Sequence, residues 1–307
     1  MAEKRFQFKR ILCPVDFSPA SSRALDLAIR LALLHGARIR LLHVIPRIVA
    51  SLMDIPIATS KWTAAQEEIA GRELPKLKDR AAKAGISATT EITIGDVDLQ
   101  ILKAAHKGGH DLLALGSHGR RGFERWALGS VADRVMRHSP IPVLLTGSRG
   151  SRIDTTIRSI LVSSDFSGGT RDAVGYAVNI ARKTHASITM LHVLPKWPAD
   201  VDLKALPDHT AELHKKLEAL IPSSIRQESR IDTCVVNGEP YREILKIMEK
   251  SKPSLVILNT HGHGFINRIL MGSTAERVVR GGAALSPLLI IPPGPGRSRA
   301  STNSGRG

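Results

Sequence analysis

The chain has 307 residues, 42% hydrophobic and 23% charged, which excludes a largely disordered protein and is enough for two domains of ordinary size. Mean hydropathy is −0.04 and no apolar run approaches the roughly 20 residues of a membrane span; Met1 to Phe6 hold no apolar signal core, so the expected setting is the cytoplasm, with no membrane contact. The net charge of +16 is spread over both halves, and with 4% aromatic residues and no outstanding basic helix it is not expected to serve nucleic acid.

In chain order, Ile11–Val15 is an apolar run of strand length. Ser18 supplies an N-cap and Pro19 a first helical residue; Leu25, Ala28, Ile29, Ala32 and Leu33 carry the apolar stripe to a stop at Gly36. Ile39–Ile45 reads as a second strand, and Thr63–Ala84 as a helix kinked or broken at Pro75. A third strand follows at Thr90–Ile94, a helix at Asp98–His106 and a fourth strand at Leu112–Leu115. Ser130–Arg137 is a helix and Pro142–Leu145 a closing strand. Cys13 and Cys234, the two cysteines, lie in strand-like runs and form neither a disulfide framework nor a metal spacing, as suits a reducing compartment.

The same pattern then returns, with strands near Ile160, Ile188, Thr233, Leu255 and Leu288. Asp16-Phe17-Ser18 recurs as Asp165-Phe166-Ser167 and Leu42-His43-Val44 as Leu191-His192-Val193, both 149 residues on. His118-Gly119 and Gly129-Ser130 recur 143 residues on, as His261-Gly262 and Gly272-Ser273. The chain is one unit written twice. Residues 1–147 form the first repeat, 156–293 the second and 294–307 a disordered tail, with a Gly/Ser-rich join near 147–152. Strand–helix alternation with apolar strands predicts an α/β fold. It consists of two tandem doubly wound domains, each a five-stranded, mostly parallel sheet with helices on both faces. The repeats are expected to pack through their closing strands, Pro142–Leu145 and Pro287–Ile291, as a dimer within one chain. Pairing of whole chains as a homodimer is left open.

In such a fold ligands sit at the carboxyl ends of the strands. There the first repeat has Leu115-Gly116-Ser117-His118-Gly119, and then Gly129-Ser130-Val131 opening a helix. Glycines permit φ > 0 and close backbone approach, and free N–H groups at a helix start attract an anion. The Ser130 hydroxyl adds a phosphate donor or a ligand to its metal ion, and Arg120, Arg121 and Arg125 offer neutralising charge. A plain turn followed by a helix cap fits the same residues.

The spacing Gly116-x2-Gly119-x9-Gly129-Ser130 resembles the ATP signature of the universal stress protein family, and the resemblance covers nearly the whole chain, once per half. Pro14-Val15-Asp16 and Leu42-His43-Val44 resemble the family's first two strands. The resemblance implies ATP, with Mg2+ or Mn2+ as a possible companion. Asp16 would lie near the ribose, backbone at Val15 and Val44 near the adenine, and Gly116, Gly119, Gly129 and Ser130 around the phosphates.

The second repeat keeps Asp165, Val193, Gly262, Gly272, Ser273 and Thr274 but departs elsewhere. Asn259 replaces Gly116, where it is expected to crowd the phosphate path; Ser163-Ser164 replaces Pro14-Val15; and His263-Gly264 replaces Arg120-Arg121. ATP should therefore bind more weakly there. His43 and His192 are read as structural, and His118 and His261 as phosphate contacts or loop supports. Ser167-Gly168-Gly169-Thr170-Arg171-Asp172 is faintly similar to a pyrophosphatase loop of a related superfamily, but helix capping explains it better. The sequence shows no base–nucleophile pair. The resulting expectation is a stress-response sensor or protective module, capable at most of slow hydrolysis or self-phosphorylation. An ATP-dependent ligase or pyrophosphatase of related fold and a nucleotide-independent interaction protein are the alternatives.

Overall fold

A computed structural model describes residues 6–47, 56–118, 128–147, 156–195, 206–260 and 271–293. The first repeat runs β1 (Arg10–Pro14), α1 (Pro19–His35), β2 (Arg38–Pro46), α2 (Pro56–Lys83), β3 (Ala88–Gly95), α3 (Val97–Lys107), β4 (Leu112–Gly116), α4 (Ser130–His138) and β5 (Val143–Thr146). The second runs β6 (Ser159–Ser164), α5 (Gly168–Thr184), β7 (Ser187–Leu194), α6 (Leu206–Ala219), β8 (Ile231–Asn237), α7 (Pro240–Ser251), β9 (Leu255–Asn259), α8 (Ser273–Gly282) and β10 (Leu288–Ile291). The join and the tail proposed from sequence lie outside the described residues, apart from Gly147.

All ten strands form one sheet in the order β3-β2-β1-β4-β5-β10-β9-β6-β7-β8. Pairing within each repeat is parallel throughout. The repeats join where β5 meets β10 antiparallel, Leu145 opposite Leu288 and Val143 opposite Ile290. The expected contact through the closing strands is thus a continuous sheet, which removes one edge from each repeat.

Because side chains alternate along a strand, the sheet has two cores. Ile11 and Cys13 pack with α1, α2, α5 and α6, whereas Leu12 packs with α3, α4, α7 and α8. Both cores run across the join. Phe8 stacks on Tyr176 of α5 at 5.3 Å and 9°, and meets the ring of His35 at 5.1 Å. On the opposite face, α4 and α8 exchange charges: Arg137 to Glu276 at 2.7 Å, and Arg280 to Asp133 at 3.4 Å.

Three sequence expectations need correction. Helix α2 begins at Pro56, ahead of Thr63, and passes through Pro75 without a break. Pro75 and Gly71, whose carbonyl loses its helical partner, are both exposed, so water takes the place of the missing N–H. Strand β3 is not buried on both faces; as an edge strand it leaves Thr89, Thr90, Glu91, Ile92 and Ile94 exposed. The expected boundaries of α1 hold: Ser18 Oγ accepts from Ser21 N–H at 3.2 Å, and Gly36 closes the helix at φ 66°.

Candidate functional site

Each repeat carries the same rigid turn where its first strand ends. In the first, Val15 N–H continues the sheet to Leu42 O at 2.8 Å. Its carbonyl lies 2.7 Å from His43 Nδ1; since a carbonyl only accepts, Nδ1 carries the proton. Phe17 adopts φ 64°, a strained value for a residue with a Cβ, and its ring stacks on His43 with centroids 4.6 Å apart. Asp16 then turns back to accept Ser18 N–H at 3.0 Å. The second repeat copies this with Phe166 at φ 60°, His192 at 2.8 Å from Ser164 O, the two rings 4.5 Å apart, and Ser167 N–H on Asp165. His43 and His192 are therefore tethers, as read from sequence. The left-handed phenylalanines were not foreseen, although their recurrence after each Asp was visible.

This turn decides which backbone groups face the crevice. Val15 has spent its N–H on Leu42, so of the two valines expected to read adenine it has no donor left. Val44 differs. Two residues beyond Leu42, it directs its N–H and C=O to the same side, where β1 has already ended at Pro14.

The other wall is built from the ends of β4 and β5. Ser117 N–H bonds Thr146 O, and Gly129 N–H bonds Ser117 O, both at 2.8 Å. These bonds fix the start of α4, with Ser130 and Val131 in its first turn, against the carboxyl end of β4 beyond Leu115. In the second repeat Thr260 N–H reaches Ile291 O at 3.1 Å and Gly272 N–H reaches Thr260 O at 2.8 Å, placing Ser273 and Thr274 likewise. N–H groups at such a helix start have no intrahelical acceptor.

The glycines work differently from the expectation of positive φ. Gly129 sits at φ −61° and Gly272 at φ −58°, ordinary extended backbone. Gly116 is not among the positive-φ glycines either. A Cβ on it would lie 2.8 Å from Ala20 C and Ser21 N, inside the backbone of α1. Gly116 is required by helix approach.

Asn259 is accommodated through that same contact. Its neighbour across the helix is Gly169, the counterpart of Ala20, whose added Cβ would stand 3.0 Å from Asn259 Cβ. The Asn259 amide donates to Ser167 Oγ at 3.1 Å and Asp165 Oδ1 at 3.4 Å. Asn259 does line the crevice, and its amide is held there by the turn and the start of α5. Burial pushes the Asp165 carboxyl upward, but hydrogen bonds from Ser167, Thr170 and Asn259 outweigh it and hold the group below the usual range.

Between these walls the second repeat has a crevice of about 200 Å³ lined by Asp165, Val193, Asn259, Gly272, Ser273 and Thr274 among others. Gly119, Arg120, Arg121, Arg125, His261, Gly262, His263 and Gly264 lie outside the described residues. Ser167 stands at the N-cap position of α5, without a side-chain capping hydrogen bond to the helix. One contact was missed: Ser117 Oγ lies 2.7 Å from His118 Nδ1. Ser117 is 0% exposed, so its hydroxyl is buried against the imidazole of His118. Among the described residues no three His, Cys, Asp or Glu side chains cluster as a metal site, and no helix is long and apolar enough to cross a membrane.

Two doubly wound units sharing one ten-stranded sheet, the second with a crevice at its strand ends, define a tandem α/β protein. The sequence model of the Universal stress protein family matches residues 7–147 and again 156–292, and the chain belongs to that family. A universal stress protein of Mycolicibacterium smegmatis is 24% identical over 294 residues, covering 92% of this chain and 97% of its own. One from Mycobacterium tuberculosis is 25% identical over 295 residues, covering 91% and 95%. One from Methanocaldococcus jannaschii is 33% identical over 141 residues, 45% of this chain and 81% of its own. The crystal structure of a universal stress protein from Archaeoglobus fulgidus shares the fold, with TM-score 0.69 and 24% identity over 94% of this chain and 98% of its own.

Proposed function

We propose that the chain binds an adenine nucleotide, ATP foremost, in its first repeat and acts in the stress response as a sensor or protective module. The observation that carries this reading is the bond from Gly129 N–H to Ser117 O at 2.8 Å. It fixes a helix start, with its unpaired N–H groups and positive dipole end, at the switch point between β1 and β4 where a phosphate would lie. Val44 supports it from the other side with an unpaired backbone edge suited to a purine. A companion Mg2+ or Mn2+ would take its ligands from the phosphates, water and the Ser130 hydroxyl. With Ser117 buried against His118, the protein is a binding module rather than an efficient hydrolase.

The test is to denature freshly purified protein, identify released nucleotide by mass spectrometry, and titrate the emptied protein with ATP, AMP and adenosine. ATP binding tighter than adenosine supports the reading. Equal affinity for both would remove the role given to the phosphates, and no binding would leave the interaction-protein alternative.

A further inference from the structure

At the amino ends of its strands, far from the crevice, the first repeat carries a charge cluster that the second lacks. Arg10 of β1 lies opposite Arg38 of β2 in the sheet register, so both project from one face; Arg40, two residues on, shares it. Arg10 and Arg38 are exposed, and like charges set side by side destabilise a sheet. Burial holds the His110 imidazole below its usual range, and the charges of Arg40 and Arg10 act in the same direction, so both guanidiniums bear on one place. Two carboxylates belong to this corner. Glu91 takes Arg40 at 3.3 Å, and Asp111 accepts the N–H groups of Lys9 and Arg10. Arg38 has no ion-pair partner among the described residues. At the matching positions the second repeat has Ser159, Ser187 and Thr189, with Asp232 of β8 beside Thr189.

Next to the arginines, β3 is an open edge of the ten-stranded sheet. The carbonyls of Ser87 and Gly95 accept from Ile39 and Arg47 N–H, on the β2 side. Bonding alternates along a strand, so Thr90, Ile92 and Ile94 turn N–H and C=O outward. Their side chains share the face of Ala88, with Ile92 41% and Ile94 42% exposed; Thr89, opposite Arg40, and Glu91 share the arginine face.

We propose that β3 accepts an extended acidic segment of a partner protein as an eleventh strand, its carboxylates on the arginine face and its apolar side chains over Ile92 and Ile94. The outward main-chain row selects a polypeptide, because neither a lipid headgroup nor a nucleic acid offers a matching ladder. The arginines select its acidity. An added strand lies two strand spacings from β2, about 10 Å, a gap that a glutamate and the long side chains of Arg38 and Arg40 close between them. A second copy of the chain fits poorly, since it would set the same arginines and a net charge of +16 against themselves.

The experiment titrates the full chain, at low salt, into a fluorescent hexapeptide alternating glutamate and valine, read by anisotropy. The peptide should bind, and its lysine–valine counterpart should bind at least tenfold more weakly. Two further peptides carry N-methyl groups on alternate amides, in opposite phase; one phase should lose at least tenfold and the other little. Arg38→Ser with Arg40→Thr, which installs the residues of the second repeat, should weaken binding at least tenfold. Glu91→Gln, which frees Arg40, should tighten it about threefold, a gain that no misfolded variant would give. Absence of binding, indifference to the paired arginine substitution, or equal affinity of both methylated peptides would each overturn the proposal. So would tighter binding of single-stranded RNA or phosphatidylglycerol vesicles through the same arginines, or self-association of the free chain through β3.

Discussion

Arg137 of α4 and Glu276 of α8 meet at 2.7 Å across the boundary between the repeats, and their counterparts Arg280 and Asp133 complete the exchange. Each partner also bonds within its own helix, Arg137 to Asp133 at 3.0 Å and Arg280 to Glu276 at 3.1 Å. This is a closed four-charge lattice with the self-complementarity of a twofold dimer. The Arg137 and Glu276 side chains are only 22% and 29% exposed, so screening is partial.

Arg137→Ala should therefore lower stability by about 1 kcal/mol, at the upper end for surface pairs, and the loss should shrink at high salt. The hydrogen bond from Arg137 depresses the Glu276 carboxyl. Its contribution is present above the ordinary glutamate value and fades as pH falls. Chemical denaturation at two salt concentrations checks this; a salt-independent loss would mean packing rather than charge.

Gly116→Ala should cost about 1–3 kcal/mol by forcing a Cβ into the backbone of α1. Adding Ala20→Gly should restore little, because two of the three nearest atoms are main-chain. In the second repeat, Asn259→Gly should lose roughly 1–2 kcal/mol with the hydrogen bonds to Ser167 and Asp165. Thermal melts of these variants decide the matter.

His35 should make stability pH-dependent. Burial first, and the charge of Lys183 second, push it from 6.5 down to about 4, and neither ring nitrogen has a hydrogen-bond partner. Below pH 6.5 the unfolded chain takes up a proton that the folded chain refuses until about pH 4. Stability is thus complete above pH 6.5 and declines between 6.5 and about 4, by up to about 3 kcal/mol. Urea unfolding at pH 7.5 and 5 should show this, and His35→Leu should flatten it. An unchanged slope in the variant would assign the effect to other groups.

Gly129→Val should abolish ATP uptake in the first repeat while circular dichroism stays native. The cost to the helix start should be about 1 kcal/mol. A folded variant with undiminished affinity would reduce Gly129 to a helix cap.

Thiol labelling should separate the cysteines. Burial pushes Cys13 up to about 12 and raises half-buried Cys234 less. Native protein should label slowly at Cys234 and not at Cys13, and denatured protein at both. Rapid native labelling of Cys13 would show that the first strand opens locally.

The element order was legible because the chain writes it twice, once per repeat, and because buried strands and amphipathic helices have unlike periods. Asn259 was equally visible as a departure, yet its meaning was not. The residue that makes room for it, Gly169, is 90 positions away in sequence and adjacent only in the fold. The glycines misled for a related reason. A sequence shows that a Cβ is missing, but not whether the backbone angle or a neighbour demanded its absence. Of the two outcomes expected at Pro75, a kink or a break, the continuous helix rules out the break; the sequence rule for helix interruption takes no account of exposure. The tie from His43 to the Val15 carbonyl depends on side-chain direction that no spacing encodes.

The antiparallel seam between β5 and β10 has a directional consequence. Every strand of one repeat runs counter to every strand of the other, so their carboxyl ends emerge on opposite rims of the shared sheet. The two crevices face away from each other. No ligand can bridge them, and no group can pass directly from one to the other. Any influence of one site on its twin has to travel through the seam, by the strands, with the Leu145–Leu288 pairing at their centre, or by the helix contacts that cross it.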